Sequence, residues 1–166
     1  VPPYQREYSW QKAQWEDLFQ DLVETDDAHF LGTIITLNQT VDAVASGVLE
    51  LIDGQQRATT LTLLLAAIYS LLNEHRDNLD DEARNELFNL GRRLVGKGGK
   101  LRVTPQTQGY NRDDYVTVLA DAGLSVEQST KKPYFSLRRI SKCYQYFRSA
   151  ISRFGETNGW DDVKAA

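Results

Sequence analysis

Residues 48–72 read VLELIDGQQRATTLTLLLAAIYSLL, and the reading of this stretch decides the fold. Val48 to Ile52 is an apolar run of strand length, whereas Leu61, Leu64, Leu65, Ile68, Leu71 and Leu72 recur at helical spacing. Asp53 and Gly54 lie between the two patterns, so the segment reads as a buried strand that turns into a long helix. IDGQQRATT, Ile52 to Thr60, gathers two amides, an arginine and two hydroxyls at the first helical turn. Backbone N–H groups there lack partners within the helix, and the helix dipole favours anions. A cation in that turn is disfavoured by roughly 0.3–1 kcal/mol unless an anion is near. Arg57 therefore calls for a partner, either Asp53 or a bound phosphate. A capped helix is the competing account, with Asp53 as N-cap and Gln56 reaching back as in a capping box.

Before this stretch, FLGTIITL (Phe30 to Leu37) reads as a strand from its isoleucines and threonines. The small, polar loop Asn38 to Gly47 makes an antiparallel pair with a long connection the simplest arrangement. At the start, VPPYQREYSW opens with two prolines that favour an extended entry. Alternation would then put Tyr4, Arg6, Tyr8 and Trp10 on one face and Gln5, Glu7 and Ser9 on the other. An arginine among aromatic rings suits a base or a phosphate, and equally a core edge with an internal ion pair. Ser9 is a candidate N-cap for a helix from Trp10 to Glu24, with Trp15, Leu18, Phe19 and Leu22 inward and Glu16, Asp17, Asp21 and Glu24 on a solvated acidic face.

Beyond the long helix, which ends near His75, Asp80 or Asp81 can cap a helix carrying Ala83, Leu87, Leu90 and Leu94 inward. GKGGK (Gly96 to Lys100) breaks the chain without matching GxxxxGK[ST]. Leu101 to Thr104 reads as a short strand, and Asn111 as the cap of a helix through Ala122 that stops at Gly123. The last helix runs from Tyr134 to Phe154 and buries Leu137, Ile140, Tyr144, Phe147 and Ile151; an acidic tail follows from Glu156.

Composition narrows the function classes. The 166 residues suffice for one domain with a real core. A single cysteine, Cys143, excludes an internal disulfide and a multi-cysteine zinc site, and His29 and His75 stand in no ligand spacing. We expect no protein-held metal centre. No segment is long and apolar enough to cross a membrane. Without disulfides the expected compartment is the cytoplasm. The chain starts at Val-Pro-Pro and has no methionine, as expected of a piece of a longer protein. The net charge of −4 hides a division: residues 1–83 hold 4 Lys/Arg against 15 Asp/Glu, and residues 84–153 hold 14 against 5. The basic part either contacts nucleic acid or faces the acidic part.

VPPYQREYSW, FLGTIITL and LIDGQQRATTLTLLL, in this order and spacing, resemble the N-terminal domain of GmrSD-type modification-dependent restriction endonucleases. These motifs cover about the first 75 residues; KLRVTP and SKCYQYF resemble the continuation more loosely. The resemblance implies an α+β fold, a small ParB/sulfiredoxin-like mixed sheet with packed helices followed by a mainly helical C-terminal part. It divides the chain into a nucleotide-binding core at 1–78, a helical extension of the same domain at 79–155 and a tail or linker at 156–166. It further implies binding or magnesium-dependent hydrolysis of a nucleoside triphosphate, with the triphosphate and magnesium as cofactors, and control of a nuclease module or partner subunit directed at phage DNA. The HNH-type nuclease itself has no candidate residues here.

On matching positions the first box is Tyr4, Gln5 and Arg6, and the second is Asp53, Gly54, Gln55, Gln56 and Arg57. Asp53, Gln55, Gln56 and Arg57 are the candidate catalytic residues. Tyr4, Gln5, Arg6, Tyr8, Trp10 and Gly54 are candidate nucleotide contacts, and position in the first turn adds Thr59 and Thr60. Phosphates at the helix N-terminus would be offset by Arg57 and Arg6, with Tyr8 or Trp10 stacking the base. Two other classes remain open: a DNA-binding or DNA-nicking module using residues 84–153, and an interaction domain in which DGQQR is an internal capping network.

Overall fold

The computed structural model describes residues 7–24, 32–38, 49–105, 109–126 and 132–158. Its elements run α1 (Lys12–Glu24), β1 (Ile35–Asn38), β2 (Leu49–Asp53), α2 (Gln55–Glu74), α3 (Asp81–Leu94), α4 (Asn111–Asp121) and α5 (Arg139–Asn158), with short 3-10 turns between helices. The class is α+β, a small sheet with packed helices. β1 and β2 pair antiparallel, Ile35 opposite Asp53 and Asn38 opposite Leu49, with an irregularity between Ile35 and Thr36. Among the described residues the sheet has these two strands and no parallel pairing of the kind a mixed sheet contains.

Helix α2 is the central element because it is apolar or small over most of its circumference. Thr60, Leu63, Ala66 and Ala67 are fully buried, and Thr59, Thr62, Leu64, Ser70 and Leu71 nearly so. α5 packs along it most extensively, presenting Ile140, Cys143, Tyr144, Phe147 and Ile151. Tyr115, Val118 and Leu119 of α4, Leu94 of α3, and Trp15 and Leu18 of α1 complete one core. Core residues thus come from both charge halves. Burying side chains such as Phe147 and Leu63 stabilises by about 1.5–3 kcal/mol each.

Local signals set the helix ends. Asp80 caps α3, its carboxylate accepting from Ala83 N at 2.8 Å. Gly123, at φ 94°, ends α4: its N–H donates to Ala120 O, and Leu124 N donates to Leu119 O, the paired bonds of a Schellman motif.

Several expectations shift. Strand β2 is only half-buried, its two end residues exposed. β1 starts at Ile35, opposite Asp53, because β2 ends there and Gly54 turns the chain into α2; Phe30, and most of the loop after β1, lie outside the described residues. α1 begins at Lys12. The expected strand at Leu101 is one bridge to Val95. Asn111 opens α4, and Tyr110 holds the cap position. α5 begins at Arg139, after a 3-10 turn over Phe135–Leu137 that changes the phase of the buried face, so Phe135 is buried and Leu137 is 64% exposed. α5 also continues through Asn158, into the expected tail.

Candidate functional site

The turn from β2 into α2 is made at Gly54, whose φ of 90° and ψ of 7° lie in the left-handed region that a Cβ disfavours. A Cβ there would also come within 3.2 Å of Ile34 Cγ1. Gly54 is the N-cap of α2, and no side chain caps this helix. The expected capping box is therefore not formed. Asp53 is exposed, and its Oδ1 accepts from Gly54 N at 2.8 Å. Gln55 Nε2 donates to Leu51 O at 2.6 Å, fastening the turn to its own strand.

Gln56 reaches away from the helix end. Its Oε1 accepts from Ser9 N at 2.8 Å and its Nε2 donates to Glu7 O at 3.2 Å, so the amide pairs with the backbone of the first segment much as a neighbouring strand would. Glu7 and Ser9 are exposed, Tyr8 is buried and Trp10 is half-buried, which is the alternation expected of an extended entry.

Tyr8 is the hub beneath the turn. Its hydroxyl receives Trp15 Nε1–H at 2.9 Å, lies 2.7 Å from Thr60 Oγ1 and donates to Cys143 Sγ at 3.3 Å. Thr60 is fully buried and donates to Gln56 O at 2.8 Å. Arg139 Nη1 donates to Tyr8 O at 3.5 Å. Burial pushes the Tyr8 hydroxyl well above the ordinary phenol range, with the adjacent Cys143 adding to the effect. Burial likewise pushes the Cys143 thiol up to about 12. Both groups are neutral at physiological pH, so the network holds by hydrogen bonds alone.

Arg57, half-buried, lays its guanidinium over Gly32, where any Cβ would collide with it. The glycine before β1 thus makes room for the arginine after β2. The structure brings Tyr8, Trp10, Asp53, Gly54, Gln55, Gln56, Arg57 and Thr60 to one end of α2. Thr59 is buried in the same turn, its carbonyl accepting from Thr62 Oγ1 at 2.9 Å. Tyr4, Gln5 and Arg6 lie outside the described residues. No group of three or more His, Cys, Asp or Glu residues converges as a metal site among the described residues. No helix among them is long and apolar enough to cross a membrane.

Trp15, Cys143 and Arg139 have a polar role here that was not visible as a motif. One signal was present: a buried Trp and a buried Tyr each need a partner for the ring N–H or hydroxyl. The two charge halves also meet directly, where Arg148 pairs with Glu74 at 2.7 Å and donates to Ser70 Oγ at 3.1 Å.

Neither a curated protein nor a solved structure matches the chain. The model of one family, described as GmrSD restriction endonuclease, N-terminal domain, matches residues 1–163. That match spans both sequence boxes, the Gly54 turn and the five helices of the described residues, and the chain belongs to the family of GmrSD restriction endonuclease N-terminal domains.

Proposed function

We propose that this domain binds a nucleoside triphosphate, with its phosphates at the N-terminus of α2, and signals that occupancy to the nuclease module of a restriction system acting against phage DNA. The observation that carries this reading is the Gly54 turn: α2 begins without a side-chain cap, and an arginine stands in its first turn. In this reading Arg57 offsets phosphate charge, and Trp10, beside the Gln56 clamp, stacks the base. Gln56 is a positioning residue that holds Glu7 to Ser9 at the site, while Tyr8 and Thr60 form its floor. Asp53 is the single carboxylate of the turn, and it fits a magnesium ion held largely by phosphate oxygens and water. The ion would supply charge neutralisation between phosphate groups.

A thermal-shift panel of the four ribonucleoside triphosphates with magnesium, repeated on Arg57→Ala, tests the reading. A ligand at about 100 times its Kd stabilises by about 2.7 kcal/mol, which for a chain of this size is roughly 5–10 °C. Arg57→Ala should remove most of that shift. No shift with any triphosphate, or an unchanged shift in the variant, would refute the placement.

A further inference from the structure

The carboxyl end of α3 carries a second charged surface. Its neighbour Tyr69 lies fourteen residues along α2 from Gln55, about 21 Å from the Gly54 turn. No carboxylate occurs from residue 87 to residue 112, a run that contains six cations. Five of them, Arg92, Arg93, Lys97, Lys100 and Arg102, are exposed on the last turn of α3 and on the loop closed by the Val95–Leu101 bridge. Among the described residues Arg84, Lys132, Arg138 and Arg148 of the basic half pair with carboxylates, whereas these five form no such pair. The α3 dipole accounts for Arg92 and Arg93. Arg102 satisfies the helix end by donating from Nε to Arg92 O at 3.2 Å. Lys97 and Lys100 lie beyond the helix and serve neither purpose.

A groove of ≈ 530 Å³ is lined by Arg92 and by glycines of the loop that carries Lys97 and Lys100, between Tyr69, Phe88, Gly98 and Leu124. Phe88 is 63% exposed, and the Arg92 guanidinium carbon lies 5.9 Å from its ring centroid. A duplex keeps its bases stacked and a run of acidic residues alone carries no ring, so either would use the cations and leave Phe88 idle. Unstacked bases need an aromatic platform beside a cationic track for the backbone. We propose that this groove binds single-stranded nucleic acid, with phosphates on Arg92, Arg93, Lys97 and Lys100 and a base on Phe88. The proposal is independent of nucleotide binding at α2.

Fluorescence anisotropy of a labelled mixed-sequence single strand, compared with its duplex and with polyglutamate over a salt series, tests it. The single strand should bind tightest. With four phosphate contacts its affinity should fall roughly fiftyfold between about 50 and 200 mM salt. Lys97→Glu with Lys100→Glu should weaken binding and flatten that dependence. Phe88→Ala should weaken the single strand by roughly tenfold with the salt dependence unchanged. Both variants alter exposed side chains, and a urea melt identical to wild type establishes that they fold. Absence of single-strand binding at the lowest salt, equal binding of duplex or polyglutamate, or full affinity in Phe88→Ala would each overturn the proposal.

Discussion

The amino end of α2 and the carboxyl end of α3 are both helix ends dense in polar side chains, yet they use those groups in opposite ways. At α2 the amides and hydroxyls are turned inward: Gln55 on Leu51 O, Gln56 on Glu7 and Ser9, Thr60 on Gln56 O, and Tyr8 on three partners. At α3 five cations form no ion pair among the described residues, and one of them, Arg92, stands beside an exposed ring. Much of DGQQR is therefore architecture that shapes a helix end, whereas the less motif-like α3 surface holds its charge in reserve. Density of polar residues in a motif does not by itself count the contacts left for a ligand.

The contrast can be broken most forcefully at Tyr8. Tyr8→Phe leaves Trp15 Nε1–H without its acceptor inside the core and should lower unfolding stability by about 2 kcal/mol, read from a urea titration. A loss under about 0.5 kcal/mol would mean that the network contributes little. The same network sets an alkaline limit. The Cys143 thiol keeps its proton in the folded chain up to about 12, against an ordinary value of 9.0, so above pH 9 the unfolded chain sheds protons that the folded one retains. Stability should then fall as pH rises from 9 towards about 12 and stay insensitive to this group below pH 9. A flat melting temperature across that window would contradict the assignment. Gln56→Glu keeps an acceptor for Ser9 N but loses the donor to Glu7 O. It should cost about 1 kcal/mol and raise hydrogen exchange in residues 7–10. The smallest effect belongs to the other surface: Lys97→Glu with Lys100→Glu should change stability by under about 0.5 kcal/mol, since neither lysine is paired with a carboxylate among the described residues.

How far the sequence could be read follows from the range of each interaction. The helix α2, the Asp80 cap, the Gly123 stop and the Gly54 turn are all specified within a few residues, and each stands where it was expected, although of the six periodic α2 residues only Leu64 and Leu71 are buried. Where α5 begins was harder to see, because Phe135–Leu137 carries an apolar pattern compatible with helix but folds as a 3-10 turn, leaving Leu137 exposed. At the site, Gln56 read as a capping amide because Asp53 stood three residues before it. Its real partners lie 47 and 49 residues earlier in the chain. No spacing rule covers a side chain that completes distant backbone.

By itself, then, the sequence determined the strand-turn-helix at Gly54, the presence of the helices that follow with the Asp80 cap and the Gly123 stop, and the family resemblance carried by its two boxes, because turn chemistry and hydrophobic period act locally. Only the tertiary structure decided which polar groups are consumed. Tyr8 meets Cys143 across 135 residues, and Gln56 meets the first segment, because packing brings α1, α2 and α5 around one buried hydroxyl. A buried polar atom must find a partner wherever the fold supplies one, and that choice is made in space rather than along the chain.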